Sequence, residues 1–301
     1  MIRIKNVLCP VDFSPISRRA LDYSIKLARH YEARLHLLHV IAPVVPSLYV
    51  DSTRVEEAIK KQVDREMPKL VESARHSGVD VESIVRSGEI EMEIQVAARA
   101  RKADIIVVGK HARPAVERWF IGSTTDRLLR RSATPLLVIG EGKRSTPPNI
   151  RRIIVTTDFS EGTEDAFAYG LSLGQEAHAS LVFLVFLHVM RPTPVAIIPP
   201  LLPTVLEPQQ SADQVRQELE NRVPADAREG CSVETRVEAG EPYREILNVV
   251  QQTRADLVVM NIHGKGGLER ALLGSTAERV IRGAPCPVIA IPPGKTRRMS
   301  A

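Results

Sequence analysis

The stretch DLVVMNIHGKGGLERALLGSTAER, Asp256 to Arg279, brings together residue types that can hold an anion. An apolar run ends at Met260. Asn261, His263 and a glycine-rich loop follow, and a helix pattern opens behind Gly274. Gly264, Gly266 and Gly267 let backbone N–H groups turn inward. The helix start adds unpaired N–H groups and the positive end of a dipole. Two donor clusters on either side of one crevice suit a polyphosphate. A plainer alternative stands beside this: Ser275 and Glu278 form S-x-x-E, the pattern of a self-capping helix. No GxxxxGK[ST] occurs, and no GxGxxG opens the first helix, so the two commonest phosphate loops are excluded.

Other candidates carry less. His36 and His39 form HxxH, but an odd offset on a strand sends the rings to opposite faces, which disfavours a metal site. His39 and His188 occupy matching strand ends, and His111 and His263 sit in matching loops. Asp12 and Asp158 close the first strand of each copy. Phosphoacceptor chemistry there would need a neighbouring acidic pair and a lysine after a later strand, and neither is present in the sequence. A cap for the following helix is the simpler role. Cys9, Cys231 and Cys286 form no CxxC pair, and an odd number argues against a disulfide framework.

The elements that position these residues occur twice. NVLCPVDFSPISRRALDYS, from Asn6, returns as RIIVTTDFSEGTEDAFAYG, from Arg152. RSGEIEMEIQVAARARKADIIVVG, from Arg86, returns from Glu238, and FIGSTTDRLLRRSATPLLVI returns as LLGSTAERVIRGAPCPVIAI. Asp12 and Asp158 lie 146 positions apart, whereas Gly88 and Gly240, and Gly122 and Gly274, lie 152 apart, so the second copy holds a net insertion of six. In the first copy, short apolar runs alternate with helical patterns: Ser14-Pro15 starts a helix, Arg54 to His76 is a charged amphipathic helix in which Pro68 is a kink or an early break, and Glu89 to Arg101 is a third helix. That alternation predicts an α/β fold, two tandem doubly wound parallel sheets, with ligands beyond the carboxyl ends of the strands. The linker Glu141 to Asn149 separates domains at 1–141 and 150–294.

Bulk properties narrow the function classes. Net charge is +5, but the basic residues are spread thinly, so no nucleic-acid face is expected. The most apolar segment, Val195 to Leu206, is too short and proline-rich to span a membrane. The N-terminus enters a strand pattern directly, and unpaired cysteines fit a reducing compartment, so a cytoplasmic protein without a signal peptide is expected. The Pro-rich stretch Arg191 to Pro208 is either packing over a sheet edge or a lid or partner surface.

An aspartate ending strand one, with a Gly-x-x-Gly-x9-Gly-Ser signature after strand four, resembles the universal stress protein family, tandem type. The resemblance covers nearly the whole chain, twice. It implies two five-stranded sheets of order 3-2-1-4-5, Rossmann-like and similar to the adenine nucleotide alpha hydrolases. It also implies pairing of the two domains through their fifth strands as an intramolecular pseudo-dimer, with a homodimer open, and in many members ATP, with or without Mg²⁺. Carried over residue by residue, the nucleotide positions of the second copy are Asp158, Val189, Met260, Asn261, His263, Gly264, Gly274, Ser275 and Thr276. Those of the first, a weaker site, are Pro10, Asp12, Val40, Val108, Gly109, Gly122, Ser123 and Thr124. The first signature glycine is kept as Gly109 but is Asn261 in copy two; the second is Ala112 in copy one and Gly264 in copy two. Asparagine tolerates positive φ better than alanine, Pro114 lacks an N–H, and Lys265 adds charge, so the second site is expected to bind better.

Three functions follow in order of preference: a nucleotide-binding stress regulator, a structural or scaffold member without nucleotide, and an ATP hydrolase. Hydrolysis comes last because no water-activating base or acidic Mg²⁺ pair is evident.

Overall fold

The computed structural model describes residues 3–43, 52–110, 121–140, 150–160, 163–176, 183–190, 211–223, 232–262 and 273–292. The first half runs β1 (Asn6–Pro10), α1 (Pro15–Tyr31), β2 (Arg34–Ile41), α2 (Ser52–His76), β3 (Val81–Ser87), α3 (Ile90–Ala100), β4 (Ile105–Gly109), α4 (Ser123–Arg131) and β5 (Leu136–Ile139). The second runs β6 (Arg152–Thr157), α5 (Thr163–Glu176), β7 (Phe183–Met190), α6 (Ala212–Arg222), β8 (Ser232–Ala239), α7 (Pro242–Gln252), β9 (Leu257–Asn261), α8 (Ser275–Gly283) and β10 (Val288–Ile291).

The ten strands form one sheet in the order β3-β2-β1-β4-β5-β10-β9-β6-β7-β8. Each half keeps the order third-second-first-fourth-fifth, and the two parallel sheets expected are joined through their fifth strands into one. Pairing is parallel within each half, but β5 and β10 join antiparallel, making one mixed sheet. The joint is self-complementary. Val138 pairs with Val288, Leu137 with Ile289 and Leu136 with Ala290, so residues 152 apart meet at Leu137–Ile289, on a pseudo-twofold axis. Both edges would otherwise be apolar and unpaired. The tie extends beyond the strands: the Lys110 ammonium donates to the Arg282 carbonyl at the end of α8, and the Tyr169 hydroxyl donates to the Asp104 carbonyl at 3.4 Å.

Strand alternation splits the core into two layers. Val7 and Cys9 face the helices α1 and α2, whereas Leu8 faces α3 and α4. The second half repeats this with α5 and α6 on one face and α7 and α8 on the other. Each fully buried leucine or isoleucine of β4 and β5 contributes on the order of 2 kcal/mol. Pro68 does not break α2, which runs through it. Met67, Leu70, Val71 and Ala74 bury that helix against the sheet, and this packing outweighs the lost hydrogen bond. Burial pushes the Cys9 thiol up to about 12, which keeps it inert, and Cys286 is likewise buried and in no disulfide.

Candidate functional site

The carboxyl ends of β1 and β4 lie side by side in the first half, because β1 pairs in parallel with β4 at Val7–Ile105 and Leu8–Ile106. Chain order reverses there, since β2 continues on one side of β1 and β4 on the other. Beyond these ends lies a cavity of about 480 Å³. Its lining includes all eight first-half candidates: Pro10, Asp12, Val40, Val108, Gly109, Gly122, Ser123 and Thr124. Leu38, Ile90, Ile94 and Ile121 add apolar wall, and Ser14, Ser17 and Thr125 add hydroxyls.

The turn after β1 is tightly determined. The Asp12 carboxylate accepts from the Ser14 N–H at 3.0 Å, and the Ser14 hydroxyl, as N-cap of α1, accepts from the Ser17 N–H at 3.2 Å. Asp12 thus braces the cap rather than being it. Burial pushes its carboxyl up, but the hydrogen bonds from Ser14 and Ser17 outweigh that and hold it below the ordinary value. An ionised Asp12 attracts hydroxyl or amine donors and repels phosphate.

Phe13 takes a left-handed backbone, φ 64°, that disfavours a bulky residue. Its ring stacks on His39 at 4.5 Å, and His39 Nδ1 donates to the Val11 carbonyl at 2.8 Å. The second half repeats the arrangement. Phe159 has φ 58°, stacks on His188 at 4.3 Å, and carries the Arg222 guanidinium 5.0 Å from its ring centre. His188 Nδ1 lies 3.0 Å from the Thr157 carbonyl. Sequence reasoning listed these histidines without finding their aromatic partners; the shared Asp-Phe-Ser after each first strand was the available signal.

The two helix starts differ from the expected self-capping helix. Gly274, not Ser275, is the N-cap of α8, and Ser275 is already the first helical residue, so the S-x-x-E box does not form. Gly122 is likewise the N-cap of α4. Neither cap has a side-chain hydrogen bond. The strand ends set this position: the Gly122 N–H donates to the Lys110 carbonyl at 2.7 Å and the Gly274 N–H to the Ile262 carbonyl at 2.9 Å. The glycine caps therefore offer the first-turn N–H groups of both helices no side-chain acceptor of their own.

Gly109 is a glycine for reasons of space. It sits in β4 with an extended backbone, and a Cβ there would approach Ile16 Cγ1 to 2.8 Å and the Ile16 backbone to 3.3 Å. Its carbonyl accepts from the Thr125 hydroxyl at 2.8 Å. Asn261 occupies the same register position in the second half, since β6 pairs with β9 at Ile153–Leu257 as β1 does with β4 at Val7–Ile105. Its backbone is part of β9 and not left-handed, so the expected role of asparagine in sustaining positive φ is corrected. In the repeat, Gly162 corresponds to Ile16, so the small and the large residue are exchanged between the two copies. That reciprocal exchange was visible in the sequence and went unread.

The other second-half candidates follow the same frame. Asp158 Oδ1 accepts from the Ser160 N–H at 3.0 Å, Val189 and Met260 lie near the ends of β7 and β9, and Gly274, Ser275 and Thr276 open α8. His263, Gly264 and the rest of the glycine loop, His111, Ala112, Pro114, Cys231 and the segment 191–208 lie outside the described residues.

Fold and cleft together define a tandem α/β protein with a cleft at the strand carboxyl ends of its first half. The chain belongs to the universal stress protein family, whose model matches residues 3–140 and again 149–292. It is 28% identical over 298 residues to a universal stress protein of Mycolicibacterium smegmatis, covering 95% of this chain and 97% of that one. To the universal stress protein E homolog of Haemophilus influenzae it is 26% identical over 316 residues, covering 98% and 99%. A crystal structure of a universal stress protein from Archaeoglobus fulgidus shares the fold, with a TM-score of 0.73 at 21% identity over 97% of both chains. Among the described residues no helix is long and apolar enough to cross a membrane.

Proposed function

We propose that this chain is a cytosolic stress regulator that binds adenine nucleotide, ATP, in its strand-end clefts and does not turn it over appreciably. The supporting observation is the cavity of about 480 Å³, a size suited to such a ligand, whose lining includes an uncapped helix start, an ionisable Asp12 and an apolar wall. In this reading the phosphates sit at the first turn of α4 or α8, where N–H groups and the helix dipole favour an anion. Asp12 and Asp158 accept from hydroxyl or amine groups of the nucleoside, and Val40 and Val189 contact the base. Mg²⁺ arrives on the ATP phosphates. The domains are taken as 1–141 and 150–294.

Of the two clefts, the second is proposed to bind more tightly. The support is in the loop chemistry: Gly264, Lys265, Gly266 and Gly267 offer donors and charge where the first copy has Ala112 and Pro114. ATP titration of Gly274→Val and Gly122→Val, each in the full chain, tests both statements. A side chain at the helix start should block the phosphate seat. Gly274→Val is expected to abolish the tighter binding phase and Gly122→Val only the weaker one. Binding lost only with Gly122→Val would reverse the order of the clefts, and binding untouched by both would remove the helix starts from the site.

A further inference from the structure

Both polar atoms of the Asn261 side chain, Oδ1 and Nδ2, are buried and have no hydrogen-bond partner among the described residues. The same holds for the Ser160 hydroxyl. Buried polar groups are nearly always paired, so two orphans need a reason. Their places supply one. Ser160 and Asn261 correspond to Ser14 and Gly109, which both line the first-half cavity. In the first half Ser14 is spent on capping α1 and Gly109 has no side chain. The orphans therefore have no counterpart in the first half: Asn261 ends β9, and Ser160 follows β6, the strand that pairs with β9.

We infer that Asn261, with Ser160, reads the ribose diol of the nucleotide in the second cleft, and so sets a specificity that the first cleft lacks. The inference rests on the nucleotide reading above and names the part of the ligand that Asn261 meets. A carboxamide donates through Nδ2 and accepts through Oδ1, so its partner must offer an acceptor and a donor side by side. Phosphate oxygens only accept and would leave Oδ1 orphaned; a cation would leave Nδ2 orphaned. A vicinal diol satisfies both, and the Ser160 hydroxyl can give or take with either oxygen. The edge of a base could also do so, but distance along the ligand argues against it. Asn261 immediately precedes Ile262, whose carbonyl holds the Gly274 N–H at the head of α8. A group touching Asn261 is thus next to the helix start, and in a nucleotide the sugar, not the base, adjoins the phosphate.

The test uses the full chain carrying Gly122→Val, which confines binding to the second cleft. ATP, 2′-deoxy-ATP and 3′-deoxy-ATP are titrated calorimetrically, then again after Asn261→Ala. At least one deoxy analogue should bind roughly tenfold or more weakly than ATP, because the missing hydroxyl leaves a buried amide atom unpaired. Asn261→Ala should weaken ATP by a similar factor and bring the three ligands level. Its ligand-free melting temperature should not fall below that of its parent, because an orphaned amide contributes no stability. Equal affinity for the three nucleotides in the parent overturns the inference while leaving nucleotide binding intact. So does discrimination that survives Asn261→Ala. A variant that unfolds, with Asn261→Gly unfolding too, shows a structural amide and overturns it as well. No binding of any nucleotide overturns the nucleotide reading and this inference with it.

Discussion

Gly109 and Asn261 show how one position can be set by a neighbour rather than by its own backbone. A Cβ at Gly109 meets Ile16 within 2.8 Å. Gly109→Ala should therefore cost roughly 1–3 kcal/mol, measured by urea unfolding, and Ile16→Ala in the same chain should recover part of it. Strict additivity of the two changes would show that they do not touch. Asp12 makes a second prediction at this scale. Its carboxyl is held below its ordinary value of 3.8, so its stabilising contribution is present above that value and is lost as pH falls through the lowered one. Asp12→Asn should flatten the acid limb of the stability profile below about pH 4 while leaving neutral pH nearly unchanged. The effect is small because Asp12 is only partly buried and water screens much of its charge. An acid limb identical to that of the unmodified protein would show that the carboxylate is not engaged.

At the scale of elements, the loop after each first strand is locked by a stacked pair, Phe13 on His39 and Phe159 on His188. His39→Ala should cost about 1–2 kcal/mol and raise amide exchange over residues 11–17, since both the stack and the bond to Val11 are lost. Unchanged exchange there would mean the left-handed Phe13 needs no support. This device was hard to foresee, because stacking joins residues 26 positions apart and leaves no periodic trace. Strands and helices were legible for the opposite reason. VLCP in β1 and IIVVG in β4 are uninterrupted apolar runs, and Ser14-Pro15 is a local cap that forms as written. Ser275-x-x-Glu278 looked equally local, but the Ile262 carbonyl takes the Gly274 N–H and moves the cap back one residue. The role of Asn261 was misassigned because a glycine in a motif implies positive φ only when nothing else crowds it, and Ile16 is distant in sequence.

Across the whole molecule, the pseudo-twofold joint at Leu137–Ile289 holds ten strands in one sheet. The internal repeat announced two equivalent units, and their apolar last strands announced a pairing edge, but not that the result would be a single mixed sheet. Leu137→Asp places a charge on the axis at a site 1% exposed, and should cost about 3 kcal/mol or more. Its melting should split into two transitions, because the halves lose their shared core. A single cooperative transition near that of the unmodified protein would show that the joint does not couple them. The same symmetry relates the first-half cleft, with eight candidate residues around a cavity, to the proposed second cleft, where Ser160 and Asn261 carry buried polar atoms without partners among the described residues. The claim that these clefts hold adenine nucleotide is tested most directly by denaturing the purified full chain and identifying what it releases by mass spectrometry, with calorimetric titration of the emptied, refolded protein. If the clefts hold adenine nucleotide, the protein will release it on denaturation and rebind ATP with a tighter and a weaker phase. Release of no nucleotide, together with no heat on adding ATP, would contradict it.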